Sequence, residues 1–203
     1  MCSLGKAYTF VIQTKRENKI FNNIKKKKNM ATWNLDPAHS EIEFKVRHMM
    51  ISTVKGQFKA FDIQVENNGE GLENASITVD IKTDSINTNN EQRDQHLKSE
   101  DFFAAASHPS IKFVSTNIEK VDEEDFKLTG DLTIKEVTKP ITFDVEFGGI
   151  SKDPWGNEKA GYTVTGKINR NDFGLTWNAA LETGGVMVSD DVKFQAELQF
   201  VLA

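Results

Sequence analysis

The chain has 203 residues, of which 38% are hydrophobic and 27% charged, with a net charge of −5. That length allows one domain with a real core, and no run approaches the ~18 apolar residues of a membrane span, so stable membrane insertion is not expected. The single cysteine, Cys2, excludes an intrachain disulfide and any cysteine-based zinc site.

Residues 1–29 read apart from the rest. They hold eight Lys or Arg and one Glu, a charge of +7, which leaves −12 on residues 30–203. That acidity argues against nucleic acid as a partner of the main domain. The apolar piece Ala7 to Ile12 is too short for a signal-peptide core, and no small-residue cleavage site follows it. The Lys25–Lys28 run suits a tether to a membrane or nucleic acid, or simply a disordered leader before a domain that starts at Met30. The expectation is a basic leader over 1–29, a β domain over 30–203 and, with no export signal visible, a cytoplasmic location.

From Trp33 onward the chain alternates. Ile42, Phe44, Val46 and His48 alternate with Glu41, Glu43, Lys45 and Arg47, the period-two pattern of a half-buried strand. Val54, Gly56 and Phe58 continue it, and Phe61, Ile63 and Val65 resume in shifted phase. The shift predicts a bulge near Lys59–Phe61 that bends the strand into a barrel corner. Asn67-Asn68-Gly69 reads as a turn, and Ile77, Val79 and Ile81 as the next strand.

The alternation stops between Ser85 and Pro109. Thr88 and Glu91 have capping-box spacing, which predicts a helix from about Asn89. Asn89 to Leu97 holds one hydrophobic residue in nine, too few for an apolar stripe. Leu97, Phe102 and Phe103 supply an anchor. The Ala104–Ala106 run predicts a second short helix, and Pro109 a stop. The charges Arg93, Asp94, His96, Lys98 and Asp101 invite an active-site reading, but Asp94 and His96, two apart, do not share a helix face. They are expected to hold a cap.

Alternation returns at Ile111 and Phe113 up to Ile118, then at Phe126 to Ile134. After a turn at Lys135–Pro140 it covers Ile141 to Phe147, and beyond the loop Asp153–Asn157 it covers Tyr162 to Ile168. An irregular stretch over Asn169–Asp191 precedes a last strand, Val192 to Leu202. About eight strands with one apolar face each, and few helices to cover them, predict an all-β antiparallel barrel with a short helical cap. Strands of about ten residues, near 33 Å, make it elongated. Gly130 and Gly166 fall at inward positions, where they either leave room for a guest or mark a bend.

Several segments resemble the YceI-like family. They are Asp36-Pro37-Ala38-His39-Ser40 with Ile42-x-Phe44-x-x-x-His48 and Val54-x-Gly56-x-Phe58; Arg93-Asp94-x-His96-Leu97 with Asp101-Phe102-Phe103; Pro109-x-Ile111-x-Phe113; Gly130-x-Leu132-Thr133-Ile134 with Val137-Thr138-Lys139-Pro140; and Ile168-Asn169-Arg170-x-Asp172-Phe173-Gly174. The match is in order over about 32–203. The resemblance implies a lipocalin-like barrel whose tunnel binds a polyisoprenoid or other long-chain amphiphilic lipid, for storage or transport. The chain departs from the pattern in its basic extension, and in Glu136, where a glycine is common.

The inward apolar stripes are the candidate tunnel lining: Phe44, Val46, Phe58, Ile81, Phe113, Leu132, Phe143, Val145, Val164, Gly166, Phe194 and Ala196. Without a guest, the same side chains would simply fill the interior. His48, Arg93, Asp94, His96 and Arg170 are the candidate head-group or cap residues. No HxH, HxxxH or HExxH pair and no GxSxG elbow occurs. No catalytic residue, metal or cofactor is therefore expected. The alternative is a metal-assisted or acid–base enzyme acting on such a lipid through His39, His48, Asp94 and His96. A homodimer is compatible with the pattern without being required by it.

Overall fold

The computed structural model describes residues 32–67, 71–181 and 185–203. The expected leader over 1–29, the turn residues Asn68 and Gly69, and Gly184 lie outside the described residues.

Among the described residues eleven strands form one curled antiparallel sheet, a half-barrel consistent with the expected lipocalin-like barrel. They are β1 Trp33–Leu35, β2 Glu41–His48, β3 Ser52–Phe58, β4 Phe61–Asn67, β5 Ala75–Lys82, β6 Ile86–Asn87, β7 Ser110–Lys120, β8 Asp125–Ile134, β9 Val137–Lys152, β10 Glu158–Asn169 and β11 Val188–Leu202. The order across the sheet is β4-β5-β7-β8-β9-β10-β11-β2-β3-β6, with β1 also on β11, and among the described residues no ladder joins the edge strands β4 and β6. Among the described residues one α-helix, α1, covers Glu91–Lys98.

Three strands exceed the eight expected. The stretch 42–58 is a hairpin, not one strand. Met49 and Met50 adopt φ 52 and 61 and reverse the chain between β2 and β3. Paired left-handed residues are hairpin-turn chemistry, normally signalled by Asn-Gly, and neither residue is present here. β1 and β6 are too short to show a period. The phase shift at Lys59–Phe61 is a break, not a bulge. β3 and β4 do not pair, and backbone bonds from Lys59 N to Ser85 O and from Lys82 N to Ala60 O hold the corner.

The cap differs too. The N-cap is Asn90, whose side chain accepts from Arg93 N, so α1 starts at Glu91. Thr88 has another task. Its backbone N–H and its hydroxyl both donate to the buried Asp94 Oδ1, at 2.8 and 2.5 Å. The second helix is absent. Residues 99–107 wind through turns, and Ala104 sits at φ 47, buried, with its N–H on Ser99 O. A left-handed residue cannot continue an α-helix. The β8–β9 turn is shorter than expected, with Lys135 at φ 56 and pairing from Val137 onward. Pro140 therefore lies inside β9.

The core is one cluster along the concave side of the sheet. Ile111, Phe113, Phe126, Leu128, Leu132, Phe143, Val145 and Ala196 are buried members of it. Phe102, Leu175 and Phe173 are buried at the capped end.

Candidate functional site: an apolar lumen

Alternation puts every second side chain of β2, β7, β8, β9, β10 and β11 on the concave side. These side chains do not meet in the middle. They enclose a cavity of about 590 Å³, within the ~300–1,000 Å³ of small-molecule sites. Phe44 and Val46 from β2 line it, as do Phe58 from β3, Ile81 from β5, Phe113 from β7 and Leu132 from β8. Phe143 and Val145 from β9, Val164 from β10, and Phe194 and Ala196 from β11 complete the expected wall.

Gly166 does not face the lumen directly. A Cβ there would lie 2.6 Å from Phe143 Cδ1 and 2.8 Å from Phe194. Gly130 is similarly covered by the Phe113 ring, and Gly56 by the Phe44 ring. The room left by these glycines is taken by a neighbouring ring. Phe143 packs edge-on to Phe194 at 4.5 Å and tilted to Phe113 at 5.3 Å. A ring that lies on glycine stays close to the wall, so the glycines keep the aromatic layer thin.

The lumen extends beyond the residues expected to line it. On β11 its wall runs from Val188 to Phe200, roughly 40 Å of strand at ~3.3 Å per residue. At the end that carries the β7–β8 hairpin, hereafter the hairpin end, it reaches Leu72, Glu73, Lys120, Glu123 and Ile150; at the capped end it reaches Leu97, Phe102, Phe103 and Leu175. Phe147, Tyr162 and Phe200 stack in series near the hairpin end, at 5.1 and 6.0 Å. Burial pushes the Tyr162 hydroxyl above its ordinary pKa. The alternation of β9 and β10 extends to these residues and signals them; nothing local signals the loop residues of the cap.

The polar candidates mostly build the capped end. Arg170 lines the lumen yet is 3% exposed, and its guanidinium is fully used. Nε donates to Ser189 O, Nη1 to Leu175 O and Trp177 O, and Nη2 to Val188 O and Asp190 Oδ1. Burial lowers its pKa and Asp190 opposes the shift. Arg93 donates to Thr88 Oγ1 at 2.7 Å and Thr88 O at 2.8 Å, so Arg93, Thr88 and Asp94 form one knot tying α1 to the chain after β6. His96 bonds Asp101 at 2.9 Å and packs edge-on against Trp177 and Phe102. His48 ends β2, its carbonyl accepting from Ser52 Oγ.

The structure does not gather His39, His48, Asp94 and His96 into one site. His39 pairs with Asp36 at 3.0 Å, well apart in partners from the other three. Among the described residues no three His, Cys, Asp or Glu side chains converge.

Asp36 clamps the opposite end of the sheet. It caps the short 3-10 turn Pro37–His39 through Ala38 N and accepts from Lys159 Nζ at 2.9 Å and Gln199 Nε2 at 3.0 Å. The Lys159 bond, opposed by burial and helped by His39 and Gln199, lowers its pKa from 3.8 to about 2. A depressed carboxylate contributes stability that is present above 3.8 and lost as pH falls through about 2. Solvent screening leaves about 1 kcal/mol of this. Asp36→Asn should therefore be less stable than wild type by that amount at neutral pH, and the gap should close in acid. Urea midpoints measured across this range check it; a gap independent of pH would mean that the clamp works without its charge.

A lumen of this length, walled by one curled antiparallel sheet and capped at one end, can be compared with known proteins. The YceI-like domain model matches residues 33–200. This chain belongs to the YceI-like family. A UPF0312 protein of Staphylococcus aureus strain MW2 is 46% identical over 175 residues, which is 86% of this chain and 99% of that protein. One from Staphylococcus epidermidis is 45% identical, covering 84% and 98%. The Campylobacter jejuni YCEI protein superposes with a TM-score of 0.67 at 38% identity, covering 84% of this chain and 97% of that one. A polyisoprenoid binding domain from Saccharophagus degradans shares the fold at 16% identity, with a TM-score of 0.63 and coverage of 85% and 99%.

Proposed function

We propose that this YceI-like domain binds a long-chain isoprenoid or similar amphiphilic lipid in its lumen, for storage or transport, without chemical conversion. The carrying observation is the 590 Å³ apolar lumen that runs from the β7–β8 hairpin to the α1 cap. Its length suits a chain rather than a compact ligand. Glu73, Lys120 and Glu123 line its β7–β8 end, where a head group would find polar partners, whereas the donors of Arg170 at the capped end are already engaged. Family membership supports the same reading, as does a fold shared with a domain described as polyisoprenoid-binding.

Organic extraction of purified protein followed by mass spectrometry names the cargo. A ligand confined to the folded state should stabilise it by ~2.7 kcal/mol at a hundredfold excess over its dissociation constant. Delipidated protein should melt lower than protein as purified, and added polyprenyl lipid should restore it. Folded protein with no extractable lipid and no thermal response to polyprenyl compounds would sink the carrier reading.

A further inference from the structure

The β2–β3 turn is an exposed apolar tip. Met49, Met50 and Ile51 are 39%, 59% and 80% exposed. Both methionines sit at positive φ, where Asn or Gly would cost less, so turn geometry does not account for them. The tip is anchored, not loose. Met49 N donates to Met187 O at 2.7 Å, next to Val186, itself 42% exposed.

A row of cations stands behind the tip. Lys55 pairs in register with Lys45, Lys45 with Lys193, and Lys193 with Lys167. Four lysines therefore stand side by side across β3, β2, β11 and β10, on the convex face. Like charges directly opposite each other destabilise a sheet, so the row has a cost in the isolated protein. Lys167 is relieved by Asp191 and Lys45 weakly by Glu43, at 3.0 and 3.9 Å. Among the described residues Lys55, Lys193 and the neighbouring Arg47 have no carboxylate partner. Arg47 instead donates to Met50 O and Thr53 Oγ1. Toward the hairpin end the same face turns acidic, with Glu41 opposite Glu197, and the β7–β8 turn holds Asp122 to Asp125 with no cation.

We propose that this end of the sheet docks on an anionic lipid bilayer. Met49, Met50 and Ile51 enter the head-group region, and the lysine row with Arg47 faces the anionic head groups. Apolar side chains with flanking cations are the general chemistry of interfacial attachment, and the acidic far end sets the orientation. A nucleic acid would satisfy the lysines but not the apolar tip. The purpose of docking rests on the lumen being a lipid site. Val46 and Val188 both line the lumen within one turn of the tip, so docking brings the capped end of the lumen to the bilayer.

The test uses the full chain with Cys2→Ser and one new cysteine carrying an environment-sensitive fluorophore, at Ile51→Cys or, as control, at Val121→Cys on the acidic turn. Vesicles of phosphatidylglycerol and phosphatidylcholine should shift the Ile51→Cys probe to the blue and leave the Val121→Cys probe unchanged. Pure phosphatidylcholine should do neither. Lys55→Gln with Lys193→Gln should weaken the response roughly tenfold or more, without lowering the melting midpoint. Vesicle binding without a shift at position 51 would assign attachment to another segment and overturn the proposal. So would a shift at position 121, no binding at all, or a shift that follows protein concentration without vesicles, which would make the tip a contact between copies. The probe does not report on the lumen, so docking can fail while cargo extraction succeeds, and the reverse.

Discussion

Arg170→Met should lower the unfolding free energy by about 3–5 kcal/mol. The substitution keeps the apolar stem and removes every N–H that the guanidinium donates to the Leu175, Trp177, Val188 and Ser189 carbonyls; of these, Val188 O keeps its bond from Asn178 Nδ2. Bonds from a charged donor are worth ~1.5–3 kcal/mol each, though not additively, and the carbonyls left behind are poorly hydrated. Arg170→Lys keeps the charge but not the fork, and should recover only part of the loss. Denaturant midpoints for the two variants test this; a loss below ~1 kcal/mol for Arg170→Met would mean that other contacts hold residues 175–189. Leu175 closes the lumen and Trp177 packs on His96 and Phe102. The same variant should therefore release bound lipid faster.

Gly166→Phe should damage the fold and not simply block the lumen. Its Cβ alone would force Phe143 and Phe194 apart, and those rings form the tightest aromatic pair in the wall. Overpacking of this kind costs ~1–3 kcal/mol or more, and a full benzyl group belongs at the upper end. Gly166→Ala should already be measurably destabilised. Val164→Phe, on the neighbouring strand position that faces the lumen, is the cleaner plug. It should stay folded and lose the thermal response to polyprenyl lipid. If Gly166→Phe melts like wild type, the ring seat is softer than its packing suggests.

The strands were legible because one side faces an apolar lumen and the other water, which imposes period two along each of them. Phe44, Phe113, Phe143 and Phe194 accordingly face the lumen, as alternation requires. The alternation could not tell a lumen from a filled core, since both demand the same inward residues. The features that escaped were settled by tertiary contacts. Met49-Met50 carries no turn residue. Ala104 reads as helix by propensity, yet its buried left-handed backbone is imposed by the bonds of the surrounding turns. Asp94 is expected to hold the cap, but its partner Thr88 is not, because the spacing of Thr88 and Glu91 points to a capping box instead. The partners of Arg170 lie 5 to 20 residues downstream in a stretch with no period, so its clamp had no signature.

The pairing of β11 has a consequence for how the protein is made. Trp33 lies opposite Leu202 and Glu41 opposite Glu197, so the first strands to leave the ribosome wait for the last. At about 5–20 residues per second, that wait is on the order of ten seconds. Until then β1 and β2 have no partner on that side, and the inward stripes of β7 to β10 face water. The lumen comes into being only after synthesis has passed Phe200, in a step dominated by distant contacts and therefore slow. A nascent chain stalled short of β11 presents open strand edges and a row of phenylalanines, the features that attract chaperones or seed aggregation.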